Sequence, residues 1–176
     1  LQLAETASRF FGSTLSSRQL IELARDTLKE QFQFGHDDLR LIDAAQKLER
    51  NSRTLLSSFG NGSSNATWSD VQSDGGVREA VSSVDGSLLE LMQILEESSV
   101  RSKGMLSCYR RSSRLVDLFA MLTEESVTHN FVHWLETTAT SFMIHLSPVS
   151  IADQFSALMS EKDCSWVFTS ATLAVG

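Results

Sequence analysis

The sequence contains no uninterrupted apolar run of about 18 residues, the length that a membrane-spanning helix needs, and no membrane span is predicted. Cysteine is scarce as well. The two cysteines, Cys108 and Cys164, lie far apart and match no metal-ligand spacing. We interpret both as reduced thiols and expect the protein to reside in the cytoplasm.

The motifs of an ATP-hydrolysing enzyme are also missing. The chain has no phosphate loop of the form Gly-x-x-x-x-Gly-Lys-Ser/Thr and no acidic box for magnesium. His133 and His145 lie on adjacent predicted strands, but the spacing places no third metal ligand beside them. The chain by itself is therefore predicted to have neither ATPase activity nor a metal site.

The composition is that of a soluble globular protein with a real core: 176 residues, 41% hydrophobic and 21% charged. The net charge of −7 argues against a stand-alone nucleic-acid binder, because such binding comes largely from the neutralisation of phosphates. The chain begins at Leu1 without a methionine and stops at Gly176, just after a predicted strand. We therefore expect it to be a piece of a longer protein.

Hydrophobic residues follow the helical period over residues 1–126 and predict a multi-helix unit there. Ser16 and Gln19 have the spacing of a capping box, and Asp37 or Asp38 is placed to cap the next helix. The predicted helices cover residues 2–11, 17–32, 39–56, 77–99 and 103–125.

Residues 58–76 interrupt this pattern. They are rich in glycine, serine and asparagine, and the sequence Asp74-Gly75-Gly76 is expected to break any regular element. The stretch is predicted to be a mobile surface loop. Trp68 within it either pins the loop to the body of the protein or stacks on a base.

The period changes after residue 126. Residues 131–136 and 141–146 are strand-like, and Pro148 ends the second strand. A helix over 151–160 and a buried strand over 166–170 follow. The predicted fold class is mainly α, with a helical domain at 1–126 followed by a small α/β piece (β-β-α-β) at 127–176 that is typical of part of a RecA-like lobe.

Two stretches carry a family resemblance. The string Trp-Val-Phe-Thr-Ser-Ala-Thr-Leu at 166–173 resembles the third conserved box of superfamily 2 helicases, in the form found in the DinG/YoaA branch, relatives of XPD. The segment Phe-Phe-Gly-Ser-Thr-Leu-Ser-Ser-Arg-Gln-Leu at 10–20 resembles YoaA-type members of that branch, in the segment after the acidic box. The chain is thereby identified as a segment between these two boxes.

The resemblance implies an ATP-dependent DNA helicase that unwinds DNA in the 5′-to-3′ direction, in DNA repair or replication. In the XPD group the gap between the two boxes holds a helical arch, and single-stranded DNA passes beneath it. Residues 1–126 are therefore expected to be arch-like. The implied partners are single-stranded DNA and the rest of the helicase motor, and the implied cofactors of the whole protein are ATP, magnesium and a 4Fe–4S cluster, none of them held by this segment.

The third box also implies a set of functional residues. In the family it couples nucleotide hydrolysis to strand movement. The matching residues here are Thr169, Ser170, Ala171 and Thr172.

A basic cluster stands out against the acidic background. The stretch 98–116 contains no acidic residue. One interpretation is a face that tracks DNA phosphates, with one ring for stacking. The other is a solvated helix face, or one paired with acids of a neighbouring helix such as Glu96 and Glu97. The residues concerned are Arg101, Lys103, Tyr109, Arg110, Arg111 and Arg114.

A second function stays open beside the helicase segment. Leucine-rich helix faces and the acidic net charge are typical of a non-catalytic helical module that binds another protein, without any role for DNA. Flanking sequence with a phosphate loop and four clustered cysteines would distinguish the two.

Overall fold

The computed structural model describes residues 12–33, 38–60, 62–124, 131–149 and 160. This part of the chain forms five helices and a four-stranded sheet, which confirms the predicted mainly α fold class. In chain order the elements are β1 (Ser13–Ser16), α1 (Ser17–Gln33), α2 (Leu39–Ser58), β2 (Ser64–Thr67), α3 (Trp68–Gln72), α4 (Gly75–Ser98), α5 (Lys103–Thr123), β3 (Phe131–Thr137) and β4 (Phe142–Pro148).

The helix starts follow local capping chemistry. Gln19 Oε1 accepts a hydrogen bond from Ser16 N at 2.8 Å, and Gln19 N donates to Ser16 Oγ at 3.3 Å, so the predicted capping box is confirmed. Asp38 caps α2 by accepting from the amide of Arg40. The cap of α5 is Ser102, whose hydroxyl accepts from the amide of Met105 at 2.9 Å.

The four long helices pack as a bundle in which α1 contacts α2, α2 contacts α4, α4 contacts α5, and α5 returns to α1. Each helix turns a leucine-rich stripe inward, as its 3.6-residue period requires. None of the described helices is long and apolar enough to cross a membrane. Fully buried core residues include Leu20, Leu23, Leu41, Leu48, Leu88, Leu91, Leu95 and Phe119.

The sheet is antiparallel with the strand order β1-β4-β3-β2. Its inner face is apolar: Leu15 and Leu135 flank Ile144 from the two neighbouring strands, and all three are buried. The ring of Phe59, just after α2, and the ring of Phe142 form a T-shaped pair with a centroid distance of 5.3 Å. This contact ties the helical bundle to the sheet.

The prediction of a loop over 58–76 was wrong in its local structure. β2 pairs with β3, α3 follows it directly, and Asp74 caps α4 through the amides of Gly76 and Val77, so the glycine pair begins a helix where a break was expected. β2 could not be predicted from a local pattern, because its partner strand lies about 70 residues away and the four residues Ser-Asn-Ala-Thr have no apolar alternation. The mobility of this stretch stays a prediction.

The predicted domain boundary near residue 126 can be compared with the composition of the sheet. β1, which was not predicted, and β2 precede residue 126, whereas β3 and β4 follow it, so the sheet draws strands from both sides of the predicted boundary. The division into two domains, and the RecA-like character of the second, stay predictions. The predicted helix 2–11, the strand 166–170 and all but Ser160 of the helix 151–160 lie outside the described residues.

Candidate nucleic-acid interface

Half of the predicted basic cluster forms a free cationic stripe along α5. Lys103, Arg110 and Arg114 recur at intervals of seven and four residues, which places them on one side of the helix. All three are exposed, and none has an ion-pair partner within the part of the chain that the structure describes. The stripe is therefore available to an anionic ligand.

The other half of the cluster is engaged by acids. Arg101 Nη2 lies 3.4 Å from Asp38 Oδ2, and Arg111 Nη1 lies 2.8 Å from Asp26 Oδ2. The hydroxyl of Tyr109 donates to Glu96 at 3.1 Å. This hydrogen bond raises the pKa of Tyr109 because it stabilises the protonated phenol.

The structure decides between the two interpretations only for the paired half of the cluster; contact of Lys103, Arg110 and Arg114 with DNA stays a prediction. Pairing with acids is confirmed for Arg101, Tyr109 and Arg111, and Glu96 is one of the acids that the sequence indicated. Glu97 pairs instead with Arg40 on α2, at 3.3 Å. Because Tyr109 is held against Glu96, the predicted stacking ring is engaged within the protein.

Glu30 is a residue of this region that the sequence did not indicate. Ser102 Oγ donates to Glu30 Oε2 at 3.3 Å, at the N-terminus of α5. A Cβ at Gly104 would meet the Glu30 carboxylate, so a larger residue there would make the Glu30 side chain shift from this position. Because a carboxylate complements the positive end of the helix dipole, Glu30 already occupies this natural anion position.

The two histidines of the sheet lie on opposite faces. His145 is paired with Trp134 and stacks on its ring at 4.7 Å, whereas His133 is paired with Leu146 and stacks on Trp68 at 5.3 Å. The two rings therefore cannot share a metal ion. Within the described ranges, no group of three or more His, Cys, Asp or Glu side chains could hold one.

Both histidines are held in a neutral form by burial. Burial lowers the pKa of His133, and it lowers the pKa of His145 despite the Glu136 carboxylate 3.6 Å from His145 Nε2, which partly offsets it. An unfolded histidine has a pKa of about 6.5. Between that value and the lowered values, the unfolded chain binds protons that the folded chain does not.

We therefore expect the free energy of unfolding to fall as the pH drops from about 6.5 through the lowered pKa values, and this contribution to be fully present above pH 6.5. Urea denaturation of the wild type and of the His133→Gln/His145→Gln variant at a series of pH values measures the effect. The variant should show a flatter dependence across this window, whatever its stability at pH 8. Parallel curves would show that these residues do not carry the pH dependence.

The residues of the third box, Thr169, Ser170, Ala171 and Thr172, lie outside the described residues. Their coupling role stays a prediction from the resemblance.

The fold and the site define a helical module with a small sheet, which presents a row of free cations on one helix of an otherwise acidic chain. Over 99% of its length the chain is 30% identical to the ATP-dependent DNA helicase YoaA of Haemophilus influenzae and 29% identical to the ATP-dependent DNA helicase YoaA of Escherichia coli. The resemblance to YoaA-type helicases that the two sequence motifs predicted is thereby confirmed.

The chain spans 27% of the length of each of these two relatives. No protein-family model matches it. No solved structure matches it either.

Proposed function

We propose that this chain is the arch-like segment of a YoaA-type ATP-dependent DNA helicase and that its part is to guide single-stranded DNA. The similarity to two such helicases over 99% of the chain carries the proposal. The free stripe on α5 supports it, because unpaired cations on an exposed helix face are what a phosphate backbone meets.

The stripe also indicates how strong the binding should be. Three free cations, Lys103, Arg110 and Arg114, allow about three phosphate contacts, while the net charge of −7 repels the rest of a strand. Binding by this segment alone should therefore be weak and sensitive to salt. In the whole protein the stripe would steer a strand that other parts hold.

Under the same proposal, the binding of ATP, magnesium and the 4Fe–4S cluster belongs to other parts of the whole protein. ATP and magnesium require the phosphate loop and acidic box, which this sequence lacks. A 4Fe–4S cluster takes four thiolates, whereas the chain has two cysteines, so this segment cannot hold the cluster alone. The 5′-to-3′ direction, the role in DNA repair or replication and the cytoplasmic location are parts of the proposal that come from the resemblance.

Removing the stripe should flatten the salt dependence of DNA binding. On single strands each phosphate contact contributes about 0.7 to the slope of log affinity against log salt concentration, so Lys103→Ala/Arg110→Ala/Arg114→Ala should reduce the slope by about 2. Fluorescence anisotropy with a labelled oligothymidine at several salt concentrations measures it.

A matched control is available in Lys29→Ala/Arg50→Ala/Arg78→Ala, which removes the same charge from exposed positions of α1, α2 and α4. The control should keep the wild-type slope. If the wild type and the stripe variant have the same salt slope, the stripe does not contact the DNA phosphates. If their affinities for oligothymidine are also equal, the protein-binding module is favoured.

One observation favours that second function. Phe32, Leu39 and Val100 are 66%, 74% and 90% exposed. They lie at the same end of the bundle, since the ion pair between Arg101 and Asp38 joins the turn after α4 to the start of α2. These three exposed apolar side chains are a candidate contact for another protein, as the second function requires.

A further inference from the structure

A cleft of about 310 Å³ lies between α1 and α5, beside the end of the cationic stripe. This volume is at the lower end of the range of small-ligand sites, about 300–1,000 Å³, and is sufficient for part of a nucleotide. The residues that line the cleft are Gln19, Glu22, Arg111, Arg114, Leu115 and Leu118.

The polar side chains that line the cleft are mainly hydrogen-bond donors, and several of their N–H groups have no acceptor within the described ranges. Arg111 is held in place by its Nη1 contact with Asp26, while its Nη2 is buried and has no hydrogen-bond partner within the described ranges. Arg114 has no ion-pair partner there. The amide oxygen of Gln19 is used by Ser16, which leaves the amide nitrogen as a further donor. Two guanidinium groups and an amide therefore border one cleft.

The one acid of the lining is already engaged. Glu22 Oε1 accepts from Arg18 Nε at 2.7 Å, one helical turn away on α1. This pair reduces the repulsion that the carboxylate would exert on an anion. The apolar side of the cleft is Leu115, which is buried, and Leu118, which is partly buried. A ligand that fits this lining has an anionic group next to an apolar surface.

We propose that this cleft binds one phosphate of single-stranded DNA between Arg111 and Arg114, with the adjoining sugar against Leu118. The proposal rests on the proposed function and adds to it a defined site. Guanidinium groups suit phosphate because their forked donors match two of its oxygens, which a lysine ammonium cannot do. Asp26 positions Arg111 in advance, so less side-chain entropy is lost on binding.

Substitutions of arginine by lysine distinguish a defined phosphate site from diffuse charge, because they keep the positive charge and remove the forked donors. Arg114→Lys retains the cation but loses the fork, so oligothymidine binding should weaken about fivefold, the equivalent of one net hydrogen bond of about 1 kcal/mol. Arg78→Lys, at an exposed position of α4 outside both the stripe and the cleft, should bind within about twofold of the wild type. Both variants should keep the wild-type salt slope, since no phosphate contact loses its counter-charge.

Anisotropy titrations of the chain and both variants at low salt, with melting scans to confirm equal folding, test the proposal. If Arg114→Lys binds as the wild type does, the stripe acts only as diffuse charge: the cleft proposal is overturned and the proposed function stands. If Arg78→Lys weakens binding as much as Arg114→Lys, the loss does not depend on the cleft, and the cleft proposal is overturned. If the wild type binds no oligothymidine at all, the DNA-guiding function fails, and the cleft proposal fails with it.

Discussion

Replacing Trp68 by alanine is expected to lower the free energy of unfolding by about 3–5 kcal/mol, the range for deletion of a large buried aromatic side chain. Trp68 is 1% exposed, stacks on His133 and meets the edge of Phe59 at 6.4 Å. Its indole Nε1 has no hydrogen-bond partner within the described ranges, so the loss comes from packing. Urea denaturation gives the value from the shift in midpoint at constant slope.

Two comparisons sharpen this result. Trp68→Phe keeps a six-membered aromatic ring and removes the pyrrole part with its donor, which has no partner within the described ranges, so it should cost less than alanine. Hydrogen exchange should show faster opening of β2, which precedes Trp68 directly, in the alanine variant. A cost below about 1 kcal/mol for alanine would mean that Trp68 does not anchor the stretch 58–76, which would then behave as the mobile loop that its composition predicts.

The second large effect concerns the longer protein of which, on the proposed function, this chain is the arch-like segment. Replacing Ser170 and Thr172 of the third box by alanine should reduce DNA unwinding by at least about tenfold while measurable ATP hydrolysis and nearly intact DNA binding remain. The reason follows from the resemblance: if the two hydroxyls join a hydrogen-bond chain to the acidic box, each would contribute about 1 kcal/mol, and their loss would interrupt coupling without removing a catalytic group. The ratio of base pairs opened to ATP consumed measures it.

A melting scan of the present segment is the control for folding. The same two substitutions should cost it about 1 kcal/mol or less, as for an ordinary hydrogen bond. A segment that melts would identify the box as a structural strand end and contradict the coupling role. A parallel fall of hydrolysis and unwinding would place the hydroxyls in the chemical step.

The relation between sequence and structure differs from one feature to the next. The helices were predictable because their signals are local: α1 was expected at 17–32 and runs Ser17–Gln33, and α2 was expected at 39–56 and runs Leu39–Ser58. Hydrophobic period and caps act within a few residues of each other. Trp68 was predicted either to anchor its segment or to stack on a base, and its burial in the core decides for the anchor.

The sequence by itself therefore determined the four long helices, the capping box of Ser16 and Gln19 and the resemblance to YoaA-type helicases, since each is written in contiguous residues. The tertiary structure alone decided the pairing of β1 with β4, and it decided which cations stay free. Arg111 meets Asp26 across 85 residues, while Arg114, three residues further on, borders an open cleft. Both arginines lie in the same acid-free stretch, 98–116, so the sequence does not distinguish them. The packing of α5 against α1 brings an acid to Arg111 and none to Arg114 within the described ranges, because the partner of a charge depends on which helix faces lie together in space.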